Sequence, residues 1–260
     1  MNDLARRALA VHRAWLRLGN AVTRTELGTF VRNERAPLIW DANHVAEARA
    51  TTPAALDALL ARVEHEYAHC GHRRFDLDAD TPAALEPRLV AAGYRERRFE
   101  TMVVEGPLAG TPPAYDVRPL AGADAWAAFE TLHRLDWLES AARLGLSGDL
   151  AVAEQGALVH RAQSPPARWW LAYDDGEPCG YFSSWEGIGG VGMAEDLFVH
   201  PDHRRRGIAT ALVHHAVADA RAHGAGPVVL VVDPDDTPRH MYAAMGFRVL
   251  AEKRDLLRHG

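Results

Sequence analysis

The stretch HPDHRRRGIATAL, His200 to Leu212, puts three arginines and a glycine directly before an apolar helical pattern. A loop that feeds a helix N-terminus exposes N–H groups with no intrahelical partner, at the positive end of the helix dipole. That arrangement suits a phosphate group. Gly207 would let ligand oxygens reach the backbone, Ala209 keeps the first turn low, and Arg204, Arg205 and Arg206 add charge. A dinucleotide fingerprint would need further glycines at fixed spacing, and a Walker loop would need Gly-Lys-Ser or Gly-Lys-Thr. Neither is present. The bland alternative is a solvated basic turn.

The residues around the loop read as a mixed α/β unit. After a Gly- and Pro-rich linker, EGPLAGTPPAY (Glu105 to Tyr115), the pattern runs β-α-α-β-β-β-α-β-α-β. RWWLAYDDGEPCGYFSSWEG is a hairpin about DDGEP, VGMAEDLFVHP is the strand entering the quoted loop, and GPVVLVVDP is a buried strand. TPRHMYAAMGF is a short helix, with Thr237 as candidate N-cap, Pro238 in the first turn and Gly246 past its end. Two stretches share one order of strand, Thr-Pro, helix, Gly-aromatic and strand: Arg73 to Val104, and Val228 to Leu256. That agreement reads as an internal duplication. Its first copy has Leu89 where the second has Tyr242, and no Arg-x-x-Gly-x-Gly/Ala loop precedes Gly110.

At 260 residues, 48% hydrophobic and 25% charged, the chain suits one large or two modest globular domains. The formal charge of -6 argues against general nucleic-acid binding. The basic charge is nearly all arginine, and Lys253 is the only lysine. Cys70 and Cys179 make no disulfide framework and read as packed small residues. The first 21 residues are arginine-rich, but Leu4, Ala8, Val11, Trp15 and Leu18 recur as in an ordinary first helix. No run reaches the roughly 20 apolar residues of a membrane span. These features point to a cytoplasmic protein.

Arg204-x-x-Gly207-x-Ala209 between strand and helix resembles the pyrophosphate motif of the GNAT superfamily of acyl-CoA-dependent N-acyltransferases. DDTPRHMYAAMGF resembles its second signature, with Asp235 where Asn is usual, Tyr242 seven residues on, and Gly246-Phe247 in place. The resemblance covers about Asp116 to Leu257. It implies a mixed twisted α/β sheet flanked by helices, with two strands splayed around the pantetheine arm of acetyl-CoA. The expected organisation is a degenerate, truncated GNAT-like domain over 1–110 and a catalytic domain over 111–260. The cofactor contacts implied are Leu197, Phe198, Val199, Arg204, Arg205, Arg206, Gly207, Ile208, Ala209, Thr210 and Asp235.

The chemistry implied is acetyl transfer to a primary amine by direct attack in a ternary complex. An alkylammonium with pKa near 10.4 must lose a proton first, at about 4.6 kcal/mol at neutral pH. Glu195, on the strand and in phase with Leu197 and Val199, is the candidate base; a bulge would exchange it with Asp196. Tyr242 is the candidate acid for the departing thiolate. Metal ligation is not expected, since the His200-x-x-His203 spacing on a loop forces no metal geometry. The partners expected are a small-molecule or peptide amine and a second copy of the chain in a homodimer, with no nucleic acid and no membrane. A CoA-binding regulatory module without turnover is the alternative function. The N-terminal half is expected to cover sheet surface and shape the acceptor site, with no acyl-CoA of its own.

Overall fold

The computed structural model describes residues 2–260. In the C-terminal half, β6 (Asp116–Pro119) leads to two helices, α4 (Gly122–Leu144) and α5 (Leu150–Gln163). The hairpin β7 (Arg168–Asp174) and β8 (Glu177–Ile188) follows. The expected single strand before the loop is two pieces, β9 (Val191–Met193) and β10 (Phe198–Val199). Then come α6 (Ile208–Ala222), β11 (Val228–Val232), α7 (Pro238–Ala244) and β12 (Arg248–His259). Val228 to Val232 is apolar throughout because β11 is covered on both faces. Thr237 does not cap α7: its own backbone is helical, and its side chain makes no cap bond.

The N-terminal half begins with α1 (Asp3–Arg17), capped by Asn2, whose side chain accepts the Ala5 amide at 2.8 Å. Short strands β1 (Ala21–Arg24), β2 (Thr29–Arg32) and β3 (His44–Ala46) precede α2 (Pro53–Glu66), β4 (His72–Leu77), α3 (Leu85–Ala91) and β5 (Arg95–Val104). The strand–helix–strand order of β4-α3-β5 recurs in β11-α7-β12, the two stretches that the sequence pairs.

The two copies interlock. Among the described residues the sheet order is β1-β2-β3-β4-β12-β5-β11-β9-β8-β7-β6, with β10 also pairing β8. Thus β12, the last strand of the C-terminal copy, lies between β4 and β5, and β5 lies between β12 and β11. Each copy supplies the strand that completes the other. The core is shared as well. Ala8, Val11, Trp15 and Leu16 of α1 pack with Phe129, Trp169, Trp185 and Met193 of the C-terminal half. A second core under α6 joins Met102 and Val104 of β5 to Leu212, Val228, Leu230 and Phe247.

Candidate active site

The strand entering the loop breaks at the site. Trp185 pairs with Met193, and Tyr181 with Phe198, so one extra residue is accommodated on the β9–β10 side. This bulge puts Asp196 at φ +63°, rare for a non-glycine residue. Side-chain phase flips across it. Met193 and Phe198 share the core against α1 and α4, while Leu197 and Val199 face the α6 core. Glu195 is therefore not in simple phase with Leu197 and Val199, as regular alternation would have it.

The bulge sits where two parallel strands part. β9 and β11 pair at Gly192–Val228 and Met193–Val229, and Ala194 N donates to Val229 O at 3.0 Å. Beyond that point the backbones diverge, and Val231 N donates instead to Glu195 Oε1 at 2.6 Å. The gap is a cavity of about 190 Å³ lined by Phe182, Glu195, Asp196, Leu230, Asp236 and Tyr242, among others. It adjoins a cleft of about 570 Å³ that shares Leu197, Asp236 and Pro238 with it and runs to the start of α6.

Of the expected cofactor residues, Leu197, Phe198, Val199, Arg204, Arg205, Gly207, Ile208, Ala209 and Thr210 line the larger cleft. Gly207, φ +90°, precedes the first turn of α6, and no side chain caps the amides of that turn. The three arginines have different engagements. Arg204 forms a two-bond pair with Glu139 of α4 at 2.7 and 2.5 Å and also bonds Val199 O. Arg206 is held by Asp174 at 3.0 Å and by Asp202 O, and it is not among the lining residues. Asp235 is exposed and lies outside both cavities; its neighbour Asp236 lines both. The motif's Asp/Asn position was legible in the sequence, but which of two adjacent aspartates points inward depends on the turn, where Asp235 N bonds Asp233 Oδ1.

Glu195 and Tyr242, 47 positions apart, meet at the smaller cavity. Tyr242 is buried, and burial together with the Glu195 carboxyl pushes its phenol well above the ordinary value. Burial also raises the Glu195 carboxyl well above its usual range, with Asp196 the next cause and the Val231 amide opposing. Burial raises Asp196 too, with the His160 ring opposing. Asp136 of α4, which the sequence reading passed over, accepts Tyr181 Oη–H at 2.6 Å and is pushed up to about 6 by burial. Trp137 ties α4 to the start of α5, its Nε1 donating to Asp149 O at 2.8 Å.

The N-terminal half reaches this end of the site. Leu38 N donates to Gln155 Oε1 of α5 at 2.8 Å, and Ala36 and Ala42 pack on Val159. Asp41, on that same loop, is ion-paired to Arg74 and 62% exposed. Cys70 and Cys179 are buried, and burial pushes both thiols up to about 11, as fits packed residues. Among the described residues no group of three or more His, Cys, Asp and Glu could hold a metal ion, and no helix is long and apolar enough to cross a membrane.

Residues 127–247 match the model of the acetyltransferase (GNAT) family. Over 84 residues the chain is 38% identical to a mycothiol acetyltransferase of Nocardiopsis dassonvillei, a match spanning 30% of this chain and 25% of that protein. A GCN5-related N-acetyltransferase from Kribbella flavida superposes with a TM-score of 0.68 at 18% identity, over 100% of this chain and 97% of that one. A tandem GNAT protein of the clavulanic acid biosynthesis pathway superposes with a TM-score of 0.56 at 15% identity, over 83% and 75%. At these identities the two superpositions speak for the fold. Residues 127–247, then, match the acetyltransferase (GNAT) family, and the whole chain shares the fold of solved GNAT proteins.

Proposed function

We propose that the chain is an N-acetyltransferase that moves an acetyl group from acetyl-CoA to a primary amine in a ternary complex. The observation that carries this reading is the adjacency of the two cavities, which share Leu197, Asp236 and Pro238 in their walls. One end is the uncapped start of α6, suited to a diphosphate; the other holds Tyr242 and two carboxyl groups. The α6 amides with Arg204 and Arg205 would hold the diphosphate, and the edge of β10 would pair with the pantetheine arm. Either Glu195 or Asp196 would accept the ammonium proton, and Tyr242 would supply one to the thiolate. The acetyl transfer named for the relative supports the reaction class. Its own acceptor does not follow, since only a quarter of that protein is matched.

One acyl-CoA per chain fits the contrast between the halves. The counterpart of α6 in the N-terminal half is α2, whose N-terminus is closed by its own chain. Thr52 Oγ1 accepts Ala55 N at 3.2 Å, and Pro53 stands in the first turn. No metal is required by any step. The test is thiol release from acetyl-CoA in the presence of a panel of primary amines. Amine-dependent release supports the reading; tight CoA binding with no release from any amine would favour a regulatory module.

A further inference from the structure

Glu195 and Asp196 both face the smaller cavity, but their surroundings assign them different work. Glu195 belongs to the sheet. After the Ala194–Val229 bond, the next inward amide of β11 is Val231 N, and the Glu195 carboxylate meets it at 2.6 Å where a backbone carbonyl would otherwise stand. The backbone of Glu195 is fixed as well: Ser183 donates to Glu195 O through its amide at 3.0 Å and its hydroxyl at 2.6 Å. The side chain is a rung that closes the ladder at the splay.

Asp196 has no such duty. The bulge turns it toward α5, where its Oδ2 lies 3.8 Å from His160 Nδ1, and it stays 36% open to the cavity. His160 is itself placed, with its ring 4.5 Å from that of Trp169 and its Nδ1 3.2 Å from Gln163 Oε1. An imidazole able to carry charge favours the ionised form of a neighbouring carboxylate. Two adjacent carboxyl groups in one enclosed space share their titration, and the first charge settles where the surroundings favour it.

Resting on the acetyltransferase reading, we propose that Asp196, positioned by His160, takes the proton of the acceptor ammonium, and that Glu195 is a positioning residue that holds the splay. The ammonium gives one proton to the Asp196 carboxylate, and the freed nitrogen lone pair attacks the thioester carbon. The C–N bond forms and the C–S bond breaks. The thiolate takes the Tyr242 proton, and the second nitrogen proton restores Tyr242. Asp196 returns its proton to solvent. The groups that bear on this pair are His160 of α5, Asp136 of α4, Tyr181 of β8, Asp41 of the N-terminal loop, Lys253 of β12, and Tyr242 with Asp236 on the α7 side.

The test uses the full chain with acetyl-CoA and whichever primary amine of the panel gives fastest thiol release. Asp196→Asn is expected to lower kcat by on the order of hundredfold with CoA affinity kept, and to abolish the acidic limb of the pH profile. Glu195→Gln, whose amide oxygen still accepts the Val231 amide, loses about tenfold or less and keeps that limb. Glu195→Ala loses more than Glu195→Gln. His160→Gln moves the acidic limb to higher pH. A large loss in Glu195→Gln beside a small one in Asp196→Asn would overturn the assignment. A second arm does not need turnover: carboxyl-resolved NMR titration of the CoA-bound chain, assigned with these variants. Asp196 ionising at lower pH than Glu195 supports the proposal, and the reverse order overturns it. Absence of thiol release with every amine would count against the acetyltransferase reading alone.

Discussion

Pro113 of the linker presses on Gly207 of the loop. A Cβ on Gly207 would stand 2.5 Å from Pro113 Cγ, and Tyr115 Oη donates to Arg206 O at 2.9 Å, so the linker braces the start of α6 from outside. The glycine is therefore required by its positive φ and by a neighbour of its own chain, in addition to any ligand. Gly207→Ala should destabilise the fold by about 1–3 kcal/mol. Pro113→Ala should recover part of that loss, seen as non-additivity in urea midpoints. Strictly additive effects would show that the two do not touch.

The interlocked strands predict that residues 111–260 do not fold alone. Without β5 the apolar edge of β11 is bare, and β12 loses both neighbours. The fragment should lack near-ultraviolet circular dichroism, and adding residues 1–110 should restore it. Cooperative unfolding of the isolated fragment as a monomer would refute this.

Lys253, the only lysine, is 4% exposed and pairs with Asp76, itself 6% exposed, at 3.1 Å. Burial and Lys253 together press His12 down to about 3, so it stays neutral beside them. Lys253→Met should cost about 3–5 kcal/mol by leaving a buried carboxylate unpaired. Adding Asp76→Leu should cost less than the sum of the single changes. Equilibrium unfolding in urea measures both.

Asp136 gives a pH dependence of known sign. Burial raises its carboxyl from 3.8 to about 6. The folded state thus holds its proton where the unfolded chain has lost it. Stability from this group is full below about 3.8 and declines as pH rises through 6. Asp136→Asn, which still accepts the Tyr181 hydroxyl, should stabilise the protein by about 1–2 kcal/mol at pH 8 and negligibly at pH 4. Solvent in the larger cleft, which Asp136 borders, screens the carboxyl and keeps the effect below the full shift. Equal effects at both pH values would refute it.

Much of this site was legible before the structure. Arg204, Gly207 and Ala209 announced the loop and helix start that line the larger cleft, and Tyr242 was placed by Gly246-Phe247 four residues on. Local spacing encodes such features. The duplicated strand–helix–strand order was also readable, because each copy keeps its own caps and Gly-aromatic turn. The interlock was not, since pairing of β5 with β12 joins residues some 150 positions apart and leaves no local mark. The bulge at Asp196 escaped for a similar reason: a one-residue insertion shows only against its partner strand, at Trp185–Met193 and Tyr181–Phe198. Arg206 and Asp235 looked like ligand residues by type, yet Asp174 and a turn at Asp233 direct them elsewhere.

In the proposed reaction the opening of α6 receives the diphosphate of CoA. Calorimetric titration of the full chain with CoA and with pantetheine, which lacks that diphosphate, tests it most directly. One CoA should bind per chain, and pantetheine at least about hundredfold more weakly, a difference of about 2.7 kcal/mol. Equal affinity for the two would contradict it.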